Sequence, residues 1–323
     1  MNHAVIRRIL GLILLFESAF LLLPCMVAVI YREKQGLSYL AVAFICLVIG
    51  FLLTRRKTEN QMFYAKEGFV IVALSWIVMS FFGAMPYYLS GDIPDVSQAL
   101  FEAVSGFTTT GASTLSSVEV LSHCTLVWRA FTIWIGGMGV LVFLLAIIPL
   151  SGGSHINLMR AESPGPSVGK LVPKIKHTAR ILYIIYFIMT VLEIIFLLAG
   201  KMPLFDAFTT SFGTAGTGGF GIKNDSFMSY SPYLQWVVTI FMILFGVNFN
   251  AYYLLIFGSV KKALSMEEVR GYFVIIFASI AIIFLNILQM FDNALDALRH
   301  ASFQVGSIIT TTGFSSVDFN LWP

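Results

Sequence analysis

The sequence predicts an all-α polytopic membrane protein: repeated helix–loop–helix units preceded by a two-helix hairpin. Three observations predict it. Of 323 residues, 58% are hydrophobic and only 11% are charged. Several apolar runs exceed the roughly 18 residues that mark a spanning helix. One stretch, FEAVSGFTTTGAS from Phe101 to Ser113, recurs without a gap as FQVGSIITTTGFS from Phe303 to Ser315. A looser copy, LFDAFTTSFGTAGTGGFG, runs from Leu204 to Gly221.

The first element is MNHAVIRRILGLILLFESAF, whose basic start resembles a signal peptide. Its apolar run continues to about Ile30 without a small-residue cleavage site, so it reads as a retained helix. Spanning helices follow from the hydropathy at about 9–30, 37–54, 68–89, 126–150, 181–200, 233–258 and 271–291. Three segments too short to span, at about 96–116, 203–224 and 293–317, carry the repeated stretch. The expected organisation is a hairpin over 1–66, a first unit over 67–150, a cytoplasmic linker over 151–180, a second unit over 181–262, and a third over 263–323. The third unit stops before the helix that should follow its loop, and a fourth is absent. A closed ring most simply needs four, so the chain reads as C-terminally incomplete and is expected to conduct little by itself.

Lysine and arginine set the orientation. With the N-terminus in the cytoplasm, the inner side holds Arg7, Arg8, Arg55, Arg56, Lys57, Lys66, the cluster from Arg160 to Arg180, Lys261, Lys262 and Arg270. The outer side keeps only Arg32, Lys34, Arg129, Lys201, Lys223 and Arg299. All three repeated stretches then lie on the outer face. Acids gather there too, among them Asp92, Asp95, Glu102, Glu119, Asp206, Asp225, Asp292, Asp296 and Asp318. Such a vestibule would concentrate cations; helix caps and solvated loops account for part of it. The net charge of +3 implies no polyanionic partner such as nucleic acid.

In the first repeat, Pro94, Asp95 and Ser97 signal a helix start. The apolar run from Ala99 to Phe107 makes roughly 15 Å of helix, half of a bilayer core of about 30 Å. A half-helix entering from outside aims its carbonyl end at the membrane centre, where the partial negative charge favours a cation. Irregular backbone survives at that depth only when buried in protein or lining a water-filled path. Thr108, Thr109 and Thr110 suit an extended return with carbonyls and hydroxyls exposed. Gly111 permits left-handed angles and leaves room for an ion at the axis. A pore loop is the reading three same-side copies favour; one copy alone would pass for a turn. Spacing does not decide whether Gly218 or Gly219 takes the Gly111 role, and the helix of the second copy reads three or four residues longer than that of the first.

Other polar residues lie within the spans. Asn248 and Asn250 read as mid-helix, serving either helix packing or a pore lining. Glu17 and Glu193 read as members of structural pairs. Arg129 begins a helix at the outer face, where it snorkels or pairs with an acid such as Glu102. The glycines of IWIGGMGVLVF read as a helix-packing run. Cys25, Cys46 and Cys124 suggest neither a disulfide framework nor a metal site. The five histidines fall in loops or at helix ends, which argues against an intramembrane hydrolase.

FEAVSGFTTTGAS, WIGGMGVLVFLLAIIP, MRAESPGPSVGKLVPKIKHTAR and ITTTGFSSVDFNLWP together resemble the Trk-type potassium transport subunits of the Trk/Ktr/HKT superfamily. The resemblance covers nearly the whole chain. It implies four helix–pore loop–helix units round a central potassium path in the cytoplasmic membrane. It also implies a homodimer, a cytoplasmic nucleotide-binding ring that gates it, no organic cofactor and no enzymatic activity. Potassium-coordinating carbonyls match Thr109 and Thr110, then Gly216, Thr217 and Gly218, then Thr311 and Thr312. Filter glycines match Gly111, Gly218 or Gly219, and Gly313. A Ser at the first of these glycines goes with sodium transport in related HKT proteins; here it is Gly, which favours potassium. A non-conducting truncated remnant and a secondary transporter with broken helices are the alternative readings.

Overall fold

The computed structural model describes residues 2–55, 65–139, 175–258 and 260–323, and among these every regular element is helical. The chain divides into two compact units. The first comprises Met1–Thr108, Ser113–Ser116 and Val120–Tyr183; the second comprises Thr109–Ala112, Ser117–Glu119 and Ile184–Pro323. Most of the proposed cytoplasmic linker, as far as residue 174, lies outside the described residues, as does the end of the span proposed at 126–150.

In the first unit, α1 (His3–Phe20) runs into α2 (Leu22–Tyr31), and the two make one apolar stretch of 29 residues. Gly36 opens α3 (Gly36–Arg55), which folds back onto α1. That packing depends on two small residues: a Cβ on Gly11 would lie 2.8 Å from the Leu53 side chain, and one on Gly50 2.8 Å from the Gly11 carbonyl. Helix α4 (Ala65–Ser90) crosses next despite Pro86. The short α5 (Val96–Phe107) and then α6 (His123–Gly137) complete the described part. Asp95 caps α5, accepting from the Gln98 amide at 2.8 Å. The α6 N-terminus has a borrowed cap, since Glu33 accepts from the His123 amide at 2.8 Å and the Cys124 amide at 3.0 Å.

In the second unit, α7 (Ile175–Ala199), which the unit enters at Ile184, precedes the short α8 (Leu204–Ala215). The span proposed at 233–258 is not one helix. It consists of α9 (Pro232–Phe245) and α10 (Phe249–Ile256), bent by 88° at the break. Gly246 and Asn248 cause the break: Asn248 caps α10, accepting from the Asn250 amide at 2.9 Å. Neither asparagine is therefore mid-helix, and Asn248 also donates to Glu268 at 2.6 Å. The carbonyls that the break frees are satisfied by phenols. Tyr272 donates to the Ile243 carbonyl at 2.9 Å and Tyr252 to the Leu244 carbonyl at 2.6 Å. This is what irregular backbone needs at membrane depth. The short α11 (Val260–Leu264) leads to α12 (Glu267–Ile287), a long apolar helix extended by a 3₁₀ turn, Leu288–Met290. Then α13 (Ala294–Ile309) packs against α9 and α12.

Among the described residues, five helical stretches are long and apolar enough to cross a membrane, or six if the bent α9–α10 pair is one span. The three short helices α5, α8 and α13 carry the repeated stretch. α5 and α8 are both 12 residues and α13 is 16, so the extra length lies in the third copy, not the second. Glu17 and Glu193 are fully buried. Glu193 has the Thr214 side chain as its hydrogen-bonding neighbour, whereas at Glu17 the neighbouring elements offer Gly83 and the Phe107 ring.

Candidate filter loops

Each short helix ends in the same way. The residue after it keeps near-helical angles: Thr108 (φ −82°, ψ 2°), Gly216 (φ −82°, ψ 1°) and Thr310 (φ −91°, ψ 1°). The next residue is a threonine in the left-handed region: Thr109 at φ 55°, Thr217 at 53° and Thr311 at 60°. Two residues later comes a left-handed glycine: Gly111 at φ 70°, Gly219 at 56° and Gly313 at 88°. The three loops therefore share their backbone pattern at three matched positions, and of the two candidates in the second copy Gly219 is the conformational match to Gly111. Thr110, Gly218 and Thr312 lie between.

A β-branched residue in the left-handed region is a rare and strained conformation. The helix ends account for it. In the second loop the Gly218 amide donates to the Gly213 carbonyl at 3.1 Å and the Thr217 amide to the Thr214 carbonyl at 3.0 Å. In the third, the Thr312 amide donates to the Ser307 carbonyl at 2.8 Å and the Thr311 amide to the Ile308 carbonyl at 3.1 Å. The six-to-one bond with a left-handed residue beyond the cap is a Schellman closure, usually made with glycine. In these two loops the amides turn back onto the helix and satisfy its last carbonyls.

The loops meet backbone to backbone within the second unit. A Cβ on Gly111 would lie 1.6 Å from the Gly218 carbonyl oxygen, and one on Gly219 would lie 1.9 Å from that of Thr312. The second loop thus has the first on one side and the third on the other. The glycines at 111 and 219 give space to the backbone of a neighbouring loop, a second demand on Gly111 beside its left-handed angle. At Gly313 nothing lies within 4 Å. Gly218 and Thr312 are buried, whereas Thr110 and Thr311 are exposed.

The return strands are held by residues that sequence reasoning passed over. Asn224 binds the first return strand: its side chain accepts from the Val118 amide at 2.9 Å and donates to Ser117 at 3.0 Å, and its amide donates to Glu119 at 3.0 Å. The Phe227 amide donates to the Ser315 carbonyl at 2.8 Å, and the Phe227 ring stacks against Phe314 and Phe303 with centroids 4.8 and 5.5 Å away. Ser226 accepts from the Ser315 amide at 3.1 Å. Nothing in the repeated stretch itself points to Asn224, because it lies beyond the copy and acts on a partner more than a hundred residues away.

In the first unit, Glu102 of α5 is fully buried and accepts from Ser113 at 2.7 Å, from the Thr114 amide at 2.9 Å, and from Arg129 Nε at 3.0 Å. Arg129 also donates a second bond to the same Glu102 oxygen at 2.8 Å, and the ion pair is buried on both sides. Of the two roles weighed for Arg129, the structure shows the pair. In the third loop the equivalent bond is neutral: Gln304 donates to Ser315 at 2.9 Å.

The comparisons with known proteins fit this geometry. Residues 37–323 match the model of the TrkH cation transport protein family. The chain belongs to the TrkH family. The "Trk system potassium uptake protein TrkH" of Salmonella typhimurium is 36% identical over 333 aligned residues, covering all of this chain and 68% of the relative. The protein of that name from Escherichia coli K12 is 35% identical over the same share, and the TrkG protein of that strain is 30% identical over 67% of its length. The crystal structure of the potassium transporter TrkH from Vibrio parahaemolyticus matches all of this chain and 68% of its own, with a TM-score of 0.86 at 29% identity. The TrkH-type fold is thus a polytopic, all-helical membrane architecture, here as in that structure.

Proposed function

We propose that this chain takes up potassium across the cytoplasmic membrane as the membrane subunit of a Trk system. Transport rather than catalysis is the chemistry of this family. The observation that carries the site is the threefold left-handed threonine and glycine pattern, closed by Schellman bonds in the second and third loops. The carbonyls of Thr109 and Thr110, of Gly216, Thr217 and Gly218, and of Thr311 and Thr312 are the groups we assign to replace the water round potassium. Carbonyl dipoles are the established ligand class for that exchange. Gly111, Gly219 and Gly313 allow the loops their turns, and Gly111 and Gly219 their close approach.

The direction of uptake follows from the charge asymmetry, with the N-terminus cytoplasmic and the loops on the outer face. Acids such as Glu119 and Asp225 beside the loops would raise the local cation concentration. The family resemblance supports a homodimer and a cytoplasmic nucleotide-binding ring as regulatory partner. The test is paired rubidium and sodium uptake by a potassium-requiring host expressing the protein as its gene encodes it. Rubidium uptake well above sodium uptake is expected. Equal uptake of both at normal expression would sink the filter assignment.

A further inference from the structure

The third loop is anchored differently from the first, and the difference includes a histidine. The gapless register of the two stretches sets Gln304 opposite Glu102 and Ser316 opposite Thr114. Glu102 holds two consecutive residues, by the Ser113 hydroxyl and the Thr114 amide. Gln304 holds the Ser315 hydroxyl, and the residue after it is held from elsewhere. His300, one turn earlier on α13, brings its Nδ1 to 2.9 Å from the Ser316 hydroxyl. Both residues are buried.

The neighbours of the ring fix its tautomer. Arg299 Nη2 lies 3.2 Å from His300 Nε2. A guanidinium only donates, so Nε2 accepts and the proton of a neutral ring sits on Nδ1, from which it donates to Ser316. Arg299 is itself held: its Nε donates to Gln235 of α9 at 2.8 Å and its Nη1 to Asp296. Phe291, just past the 3₁₀ turn, stacks on the imidazole with centroids 5.1 Å apart. The charged groups that act on the ring are Arg299 and Asp296, both on α13. The facing elements bring the neutral Gln235, Phe291 and Ser316. Burial and the Arg299 charge hold the imidazole below its ordinary value, against the pull of Asp296. A second proton would go to Nε2 and set two donors face to face. Arg299 is tied to two other partners, so the ring is the group that yields, and its bond to Ser316 goes with it.

We propose that neutral His300 is a positioning residue of the third loop: it holds the return strand at Ser316, and protonation of the ring from the outer side releases that hold and lowers uptake. The proposal rests on the reading of the loops as an outward-facing filter. The strand leaves the filter at Gly313 and is gripped at each residue that follows. Ser307 donates to the Phe314 carbonyl at 2.6 Å. Gln304, Ser226 and the Phe227 amide bind Ser315. His300 binds Ser316. Of these holders His300 is the one that titrates near neutral pH. In the first loop the corresponding grip on Thr114 comes from Glu102, which is paired with Arg129. Acid therefore acts on the third loop before it acts on the first.

The test is rubidium uptake by a potassium-requiring host expressing the protein as its gene encodes it. Uptake is measured at external pH of about 7.5 and about 5, either side of the ordinary histidine value near 6.5, and read as a ratio for each variant. His300→Asn keeps a donor at the Nδ1 position but does not titrate, so its ratio reports the response of the host alone. The wild-type ratio should exceed it by about threefold or more, since the neutral fraction falls about tenfold per unit below the folded pKa. Ser316→Ala removes the acceptor and should bring the ratio down to that of His300→Asn. A second readout is melting of the purified protein in detergent. A ring whose folded pKa is lowered stabilises the fold above its unfolded value, and that stability is lost as pH falls through the folded one. The melting difference between wild type and His300→Asn should thus be full near pH 7.5 and shrink toward pH 5. Equal uptake ratios in wild type and His300→Asn, a wild-type ratio kept by Ser316→Ala, or a melting difference independent of pH would each overturn the proposal. Wild-type uptake of rubidium no greater than that of sodium, with the melting difference still shrinking in acid, would instead sink the filter reading and leave the anchor standing.

Discussion

At the scale of single residues, the two kinds of filter glycine separate cleanly. Gly111 and Gly313 are both left-handed, but only Gly111 faces a backbone carbonyl where its Cβ would be. Alanine at Gly313 therefore meets conformational strain alone, about 1–2 kcal/mol. Alanine at Gly111 adds a collision with Gly218 that no side-chain rotation relieves. Gly111→Ala should abolish rubidium uptake at normal membrane insertion, while Gly313→Ala should lower it by roughly tenfold or less. Equal uptake in the two variants would show that loop contact is not what Gly111 provides. Glu102 is a second such residue. Its partners are Arg129, Ser113 and the Thr114 amide, so removing its charge leaves a buried guanidinium uncompensated. Breaking a buried pair of this kind costs about 3–5 kcal/mol. Glu102→Gln should lower the melting temperature in detergent by several degrees. Replacing Glu102 and Arg129 together by Leu and Met should recover most of the loss.

At the scale of elements, helix ends govern this protein more than helix middles do. The Schellman closures at the ends of α8 and α13 satisfy the last helix carbonyls, and the phenols of Tyr252 and Tyr272 make the α9–α10 break tolerable. The α6 N-terminus depends on Glu33, a residue from the α2–α3 turn. Burial would raise the Glu33 carboxyl, but hydrogen bonds from the Cys124 and His123 amides and the His123 ring outweigh it and hold the group below its ordinary value. A lowered carboxylate stabilises the fold above its unfolded pKa, about 4.3, and that stability is lost as pH falls through the lower folded value. The difference in melting temperature between wild type and Glu33→Gln should thus be full near pH 7 and shrink toward zero below about pH 4. A difference that grew on acidification would remove Glu33 as the cap.

At the scale of the whole molecule, the arrangement requires all three loops to open on one side of the bilayer. Single cysteines on a background with Cys25, Cys46 and Cys124 all replaced by Ser test this. Ser116→Cys, just past the first loop, should react with an impermeant reagent added outside intact cells. Ser265→Cys, between α11 and α12, should react only after permeabilisation. Reversed labelling would invert the topology and with it the direction of uptake. The same molecule shows how the loops converge. Thr109–Ala112 departs from the unit that contains its own helix and clusters with the two later loops.

The sequence by itself determined the class of this protein, because bilayer thickness imposes the length of its apolar runs and the need to satisfy backbone groups imposes helices. It determined the three loop positions too, since a repeated Thr-Gly stretch survives in the letters. It also reached the Glu102–Arg129 pair as one of two alternatives, since few charges are available to meet at that depth. Only the tertiary structure decided that Gly219 rather than Gly218 matches Gly111, because both are glycine and the difference is a φ angle. Only it showed the break at Gly246–Asn248, because hydropathy is continuous across a helix that turns by 88°. The surroundings of the buried Glu17 and Glu193, and the clamp at Asn224, depend on groups from distant elements. Such groups meet only when the chain folds, and no local pattern of residues encodes their meeting.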